Sequence, residues 1–169
     1  NNSISFKKEQ FPDLSNRQYR IVQGLDSAAA LVTTKGIISA VAEERLSRIK
    51  GTGAFPVKAI EYCLQVENIK PGDVDYIAHS FSYGPLQKFY QQDIVSQKLY
   101  SEVLSPEAQT HHIEKYCNSY NWSKKIIHVP HHLAHAASTF YLSGFKESLI
   151  LISDGMGEEL STTVAIGNN

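Results

Sequence analysis

The stretch from residue 126 to residue 158 constrains the fold of this chain more than any other part of it. It predicts a short strand, Ile126-Ile127-His128-Val129, then a helix over residues 131–143 and a buried strand over residues 148–153. Short apolar runs on either side of a segment with helical spacing favour this assignment. The order is typical of an α/β layer, in which ligands bind at strand ends and turns.

Two histidines and an aspartate in this stretch have the spacing of metal ligands. His131 and His135 lie four residues apart, so on a helix both rings face the same side and can reach one ion. Asp154 follows the apolar run that ends at Ile152, where a strand would present it to a site. Mixed nitrogen and oxygen ligands suit iron(II), zinc or manganese without selecting among them. The alternative is that the histidines only cap or pack the helix.

His132 lies between the proposed ligands, about 100° around the helix from His131. We therefore expect it to pack in the core or to make a supporting hydrogen bond.

The rest of the chain predicts short strands, one long helical segment and a polar start. We expect residues 1–18 to form a polar arm and residues 19–169 to form one domain, with a helical insert over about residues 86–120 that is broken near Pro106. Pro56 opens a helix with Val57, Ile60, Cys63 and Leu64 on its apolar face. The further predicted strands are Tyr19 to Gln23, Ala28 to Thr33, Ile37 to Glu43, Val74 to Ala78 and Ser161 to Gly167.

Composition excludes several classes of partner. With 16 basic and 17 acidic residues, the chain has no excess charge that would attract nucleic acid or an anionic membrane. Neither a signal-peptide core nor a membrane-spanning run is present in the sequence. Cys63 and Cys117 lack metal spacing and fit buried thiols of a reducing compartment. The cytoplasm is the expected location, and the oligomeric state stays open.

Charged residues and glycines elsewhere suggest a phosphate-binding role. Arg48 and Lys50 lie on a glycine-containing loop, where a cation can meet a phosphate without being buried, although solvated loop charges explain them as well. Gly155 and Gly157 either let backbone amides approach a phosphate or simply form a turn. Asp26 either orients a metal-bound water or ends a strand.

Aromatic residues of the helical insert allow a similar choice. The alternatives are that these side chains line a pocket for an acceptor or that they pack within the insert. The residues are Tyr83, Phe89, Tyr90 and Tyr100.

Four sequence blocks together resemble the O-carbamoyltransferases of antibiotic and nodulation-factor biosynthesis. Their order and spacing match the amino-terminal part of that family from about residue 20 to residue 167. The blocks are Gly24 to Val32, Ala42 to Lys50 with Phe55-Pro56, His131 to Ser138, and Asp154 to Glu158. Four blocks in register are far more specific than any single one of them.

The resemblance implies an α/β fold of the actin-like kind shared by sugar kinases, Hsp70 and ribonuclease H, with a mixed sheet and a helical insertion. It implies that this chain is the amino-terminal half of the actin-like domain, with the carboxyl-terminal remainder absent, and that the fragment alone is inactive. In such enzymes a second domain makes carbamoyl-adenylate from carbamoyl phosphate and ATP. The actin-like domain then passes the carbamoyl group to a hydroxyl of a small-molecule acceptor.

The resemblance also implies residue roles. His131, His135 and Asp154 match iron ligands, and a further aspartate ligand is expected outside this chain. Lys50 and Arg48 match basic residues near the phosphate or carbamoyl end of the intermediate, and Asp26 matches an acidic residue of the first strand-turn-strand.

One position departs from the family pattern. The family usually has a histidine where this chain has Leu25, and leucine neither accepts nor relays a proton. A second hypothesis is therefore a catalytically lapsed or accessory actin-like module that binds nucleotide, metal or a partner without transfer. A sugar-kinase-like phosphotransferase is disfavoured, because such sites do not need the histidine pair.

Overall fold

The computed structural model describes residues 3–20, 26–116 and 122–168, apart from the side chains of Arg20 and Ser123. It is a mixed α/β structure that combines helices with three small sheets. The α-helices are α1 (Ser3–Gln10), α2 (Asn16–Arg20), α3 (Glu43–Ser47), α4 (Val57–Val66), α5 (Ile94–Leu99), α6 (Pro106–Tyr116) and α7 (His131–Ser143). The strands are β1 (Ala28–Thr33), β2 (Gly36–Ala42), β3 (Ile77–His79), β4 (Ile126–His128), β5 (Glu147–Gly157) and β6 (Leu160–Asn168).

Shorter helical segments complete the described structure. They are the 3₁₀ helices Pro71–Asp73, Gly84–Gln91 and Trp122–Lys125, and the π-helix Tyr100–Leu104. No helix of the described residues combines the length and the apolar character needed to cross a bilayer.

Helix α4 packs on the antiparallel hairpin of β1 and β2. Its buried residues are Ala59, Cys63 and Leu64, and the Cys63 thiol lies 3.5 Å from the Ala29 carbonyl oxygen. The sequence prediction of a helix after Pro56 with Cys63 in the core is therefore confirmed. Cys117 lies outside the described residues.

The predicted insert is mostly helical in its described residues. Its core consists of Tyr83, Leu86, Leu99, Val103 and Leu104, and Phe6 of α1 packs against this cluster. The predicted break near Pro106 is confirmed, because the π-helix ends before Ser105 and α6 begins at Pro106. The proposed domain boundaries themselves stay a prediction.

The predicted strand from Tyr19 to Gln23 is wrong at its first two residues, which belong to α2. Ser15 and Gln18 form a capping box that starts this helix: the Ser15 amide donates to the Gln18 side-chain oxygen at 2.9 Å, and the Gln18 amide donates to the Ser15 hydroxyl. The Tyr19 hydroxyl then donates to the Pro12 carbonyl oxygen at 2.6 Å. Residues 21–25 lie outside the described part of the chain.

The lead-in before residue 19 is also more ordered than a polar arm suggests. Helix α1 buries Ser3 and Lys7, and the Lys7 amine donates to the Gln18 carbonyl oxygen at 2.9 Å. Tertiary contacts supply the order that a weakly amphipathic sequence does not indicate.

Strand bounds differ from the sequence prediction at several ends. Glu43 begins α3 instead of ending β2, and the strand predicted from Val74 to Ala78 runs instead from Ile77 to His79. The strand predicted over 148–153 extends from Glu147 to Gly157, and its regular pairing with β6 stops at Ser153. Asp154 therefore stands where the ladder becomes irregular, which agrees with the expected position at the end of the regular strand.

The described strands form three two-stranded sheets. The pairs β1–β2 and β5–β6 are antiparallel, whereas β3 and β4 are parallel, with His79 opposite His128. Both parallel strands end at the same edge. The segment that follows β3 is therefore brought to the start of α7, which follows β4.

Candidate metal centre

Helix α7 is fixed on the β5–β6 hairpin by one buried stripe of side chains. His132, Ala136 and Phe140 are the buried residues of α7, and their four-residue spacing places them on one face. Ala136 and Phe140 form a hydrophobic cluster with Ile150 and Ile152 of β5. This packing sets the distance between the helix and the strand that carries Asp154.

The adjacent stripe of α7 carries His131 and His135 to Asp154. The Nε2 atom of His131 lies 2.8 Å from Oδ2 of Asp154 and 3.0 Å from Nε2 of His135. The Nε2 atom of His135 lies 3.5 Å from the same Asp154 oxygen. The structure thus brings the three predicted metal ligands together.

A backbone carbonyl fixes the orientation of the His131 ring. The Nδ1 atom of His131 lies 2.8 Å from the carbonyl oxygen of Ser80. A carbonyl oxygen only accepts, so Nδ1 must carry the proton, and in the neutral imidazole Nε2 then carries a lone pair. A metal-binding histidine usually donates the N–H of its other ring nitrogen to a hydrogen-bond acceptor in this way.

The donor atoms fit a divalent ion. Ligand atoms about 2.1 Å from one ion lie roughly 3.0–3.4 Å apart in octahedral or tetrahedral geometry, and the separations found here are close to that range. His131 Nε2 and the Asp154 carboxylate oxygen both present lone pairs across 2.8 Å, so a proton or a cation between them is needed to make this approach favourable. The His135 side chain is 50% exposed, which gives an ion and a substrate access from solvent.

The aspartate is prepared to remain ionised. Burial raises the pKa of the Asp154 carboxyl, but a hydrogen bond from His131, donated when its Nε2 is also protonated, and hydrogen bonds from the backbone amides of Met156 and Gly155 outweigh it. The pKa of Asp154 therefore lies below its ordinary value. An ionised carboxylate is the form that binds a cation.

His132 belongs to the packing layer and not to the donor set, as the sequence predicted. It is 7% exposed, and its Nδ1 atom lies 2.6 Å from the Thr163 hydroxyl. A Cβ on Gly157 would come within 2.0 Å of His132 Nε2, so glycine is required at 157 for this approach. At Gly155 a Cβ would meet no atom within 4 Å. The two glycines predicted to approach a phosphate therefore differ. The space beside the Gly155 Cα is open, whereas His132 occupies the space beside the Gly157 Cα.

The residues predicted to meet a phosphate lie in a separate part of the site. Arg48 and Lys50 are exposed, and Arg48 ends α3 in the left-handed conformation with φ of 62°. Exposed Asp26 lies beside them, since its Oδ1 atom would be 3.9 Å from a Cβ on Gly51. Within the described residues, neither a hydrogen bond nor an ion pair joins Asp26, Arg48 or Lys50 to the His–His–Asp centre.

Two glutamates hold the loop that carries these cations. The buried Glu43 carboxylate accepts from the Ala59 amide at 2.9 Å, in the first turn of α4. Glu44 accepts from the Gly51 amide at 2.8 Å, and its other oxygen lies 3.6 Å from Arg45 Nε. Glu44 thus ties the backbone of the loop while it pairs with its sequence neighbour Arg45.

Two of the four insert aromatics line a cavity. A cavity of about 490 Å³ is bordered by Tyr90 and Tyr100, whereas Tyr83 is buried in the core and Phe89 is exposed. Burial, with the neighbouring Tyr83 and Tyr100, raises the pKa of Tyr90 to about 12, so its hydroxyl stays protonated. The other residues of the lining are Gln87, Gln91, Gln97 and Ser101.

The sequence interpretation missed Ser80 and gave Glu158 no role. Ser80 acts through its backbone, so its side chain carries no signal. The signal was topological: a residue just after β3 lies beside the helix that follows the parallel neighbour β4. Glu158 accepts from the Ser82 amide at 2.8 Å across 76 residues of sequence, which no local pattern indicates.

Comparisons with known proteins identify the family to which this chain belongs. The family model for the carbamoyltransferase N-terminus matches residues 22–169. Nodulation protein NolNO of Sinorhizobium fredii is 36% identical over 145 residues, which cover 85% of this chain and 21% of that protein. An uncharacterized protein of Synechocystis is 32% identical over 160 residues, covering 84% of this chain and 26% of that protein.

A more distant similarity extends to the archaea. An uncharacterized protein of Methanocaldococcus jannaschii is 28% identical over 148 residues, covering 88% of this chain and 24% of that protein. The chain spans between 21% and 26% of the length of these three relatives. The extent of the family match shows that the chain belongs to the carbamoyltransferase N-terminal family.

Proposed function

We propose that this chain is the amino-terminal part of an ATP-dependent O-carbamoyltransferase with an actin-like domain. The full-length enzyme transfers a carbamoyl group from carbamoyl phosphate, through carbamoyl-adenylate, to a hydroxyl of a small natural-product or sugar-like acceptor. One observation carries the proposal: three donor atoms, from His131, His135 and Asp154, converge in a chain that belongs to the carbamoyltransferase family. Because ATP is a cytoplasmic metabolite, the proposal places the enzyme in the cytoplasm.

The proposed centre holds a divalent ion, for which iron(II) is favoured by the resemblance over zinc and manganese. When bound, such an ion supplies Lewis-acid polarisation of a carbonyl oxygen. His131 contributes the Nε2 lone pair, Asp154 an ionised carboxylate and His135 its exposed ring nitrogen. Their approach within 3.5 Å of one another is compatible with ligation of one shared ion.

The transfer replaces one carbon–oxygen single bond of the carbamoyl carbon with another. The acceptor oxygen forms a bond to the carbamoyl carbon, the bond from that carbon to the adenylate phosphate oxygen breaks, and AMP leaves. The hydroxyl proton passes to a base. Lys50 and Arg48 are the proposed cations for the phosphate, because both are exposed and unpaired within the described residues, and Gly155 leaves room for a phosphate to approach the backbone. Asp26 would orient the reactants beside this loop.

The cavity bordered by Tyr90 and Tyr100 is the proposed acceptor pocket. Its lining is uncharged and rich in amides and hydroxyls, which suits a polyhydroxylated molecule. Phe81 supports the link between pocket and centre: its ring centroid lies 5.2 Å from that of His131 and 4.7 Å from that of Tyr83, whose ring contacts Tyr90.

The direct test uses the full-length protein with labelled carbamoyl phosphate, ATP and a panel of neutral and cationic hydroxyl acceptors. The wild type should form an ATP-dependent labelled carbamate ester, and His131→Ala should lower that rate at least about 100-fold through loss of a metal ligand. His111→Ala, at an exposed position on α6, is the matched control and should retain the rate. Equal rates in wild type and His131→Ala would contradict the proposal.

Leu25 supports a second candidate, an accessory module that binds nucleotide or metal without transfer. Residue 25 lies outside the described residues, so its support comes from the sequence alone. The variant Leu25→His separates the two candidates. A large gain in transfer in this variant, over an inactive wild type, would favour the accessory module; transfer by the wild type would exclude it.

A further inference from the structure

Glu158 occupies a backbone conformation that glutamate rarely adopts. It is the first of two residues that connect Gly157 to its partner Leu160 at the tip of the β5–β6 hairpin, and its φ is 62°. Asparagine, aspartate or glycine is the usual residue at such a position of a two-residue loop. A strained non-glycine residue persists where the surrounding structure uses it. The side chain of Glu158 therefore needs an explanation.

The carboxylate of Glu158 reaches the segment that follows β3. Its Oε1 atom accepts from the Ser82 amide at 2.8 Å, and residues 80–83 have no regular secondary structure of their own. A charge-assisted bond to a backbone amide is among the stronger hydrogen bonds. This contact ties the tip of the hairpin to an otherwise irregular segment.

The same segment contacts His131 in two further ways. The Ser80 carbonyl oxygen accepts the Nδ1 proton of His131 at 2.8 Å, and the Phe81 ring meets the His131 ring edge-on, with centroids 5.2 Å apart. Residues 80, 81 and 82 thus form one short bridge from the hairpin tip to the ligand histidine. Movement of Ser82 would move the carbonyl that selects the His131 tautomer.

From this geometry we infer that Glu158 is a positioning residue of the metal centre. Its carboxylate pins the Ser80–Ser82 segment, and the Ser80 carbonyl in turn holds His131 with Nε2 free to bind the ion. Asp154 is on the strand that leads into the same hairpin tip, so one contact keeps two ligands in register. The inference rests on the proposed metal centre, and Glu158 itself touches neither the ion nor the substrate.

Variants at 158 and 159 of the full-length protein separate this role from folding. Glu158→Ala removes the acceptor, Glu158→Gln keeps an oxygen that can accept from the Ser82 amide, and Glu158→Gly removes the acceptor while suiting the positive φ. Exposed Glu159 is the matched control, as Glu159→Ala. The readouts are calorimetric affinity for zinc and iron(II), and the ¹⁵N shifts of the His131 ring in metal-free protein, assigned with His131→Ala.

The inference predicts a split between stability and metal affinity. Glu158→Ala and Glu158→Gly should lower metal affinity about 10- to 100-fold and show a mixture of His131 tautomers. Glu158→Gly should nevertheless unfold at the same temperature as wild type or higher. Glu158→Gln should bind within about threefold of wild type, as a retained hydrogen-bond acceptor requires, and Glu159→Ala should be unchanged.

Three results would overturn the inference. They are wild-type affinity in Glu158→Gly, a Glu158→Gln variant as weak as Glu158→Ala, and a single Nδ1-protonated His131 in all variants. If the wild type binds no metal, the metal centre itself fails, and the ring shifts in metal-free protein still decide whether Glu158 positions His131.

Discussion

The metal centre and the loop of residues 48–52, here called the cation loop because it carries Arg48 and Lys50, hold their functional side chains in opposite ways. At the centre each ligand has a directional partner, and the helix beneath is locked to the hairpin by Phe140 and His132. In the loop at 48–52 only the backbone is tied, by the Gly51 amide to Glu44 and by Ser27 to the Thr52 carbonyl oxygen, while Arg48 and Lys50 extend into solvent. The centre is preorganised, whereas the loop cations depend on a ligand to order them.

Phe140→Ala should give the largest effect on stability. Phe140 is 5% exposed and fills the space between α7 and the hairpin, so its truncation should lower the free energy of unfolding by about 3–5 kcal/mol. Tyr141→Ala is the matched control. Tyr141 is the sequence neighbour of Phe140 but is 73% exposed, so its truncation should change the free energy of unfolding by less than about 0.5 kcal/mol. Urea unfolding measures both. Similar values for the two variants would show that the helix is not locked at Phe140.

The two glycines of the hairpin provide the next comparison. Gly157→Ala should lower the free energy of unfolding by about 1–3 kcal/mol, because the added carbon collides with His132 and with the Leu160 carbonyl oxygen. Gly155→Ala should change it by less than about 0.5 kcal/mol, because the space there is open. Thermal unfolding of the pair is sufficient, and a destabilised Gly155→Ala would contradict the described packing.

Glu43→Ala tests how far the cation loop depends on a buried anchor. The change leaves the Ala59 amide at the start of α4 without its acceptor and should lower the free energy of unfolding by about 1–2 kcal/mol. Exposed Glu61 on the same helix is the control, and Glu61→Ala should be close to neutral. An unchanged Glu43→Ala variant would mean that α4 does not need this cap.

The smallest stability effects are expected at the cations themselves. Lys50→Ala and Arg48→Ala should each change the free energy of unfolding by less than about 0.5 kcal/mol, yet lower the affinity of the full-length protein for ATP. Lys35→Ala, in the exposed β1–β2 turn, is the control for loss of charge and should leave ATP affinity unchanged. Unchanged ATP binding in both loop variants would remove Arg48 and Lys50 from the proposed phosphate site.

Local patterns predicted what depends on local chemistry. Helix α7 and strand β1 have the predicted bounds, and the HxxxH spacing with the aspartate at the end of an apolar strand identified three side chains that do converge. These features follow from helical and strand periodicity, which the sequence displays directly.

Long-range partners were not predictable in the same way. The capping box at Ser15 and Gln18 overrode an apparent strand at Tyr19, since two side-chain hydrogen bonds outweigh a short β-like run. The Ser80 carbonyl and the Glu158–Ser82 bond depend on which strands pair, and neither leaves a local pattern. The different steric requirements at Gly155 and Gly157 could be recognised only from the position of His132 in the structure.

Metal binding is the property that tests the account most directly. Anaerobic titration of the full-length protein with iron(II) and zinc should show one site whose affinity falls at least about 100-fold in His131→Ala and in Asp154→Ala, since each removes a ligand. His132→Gln keeps a polar side chain in the packing layer, and in a folded variant it should affect the affinity far less. Equal metal content and affinity in wild type, His131→Ala and Asp154→Ala would contradict the assignment of the centre.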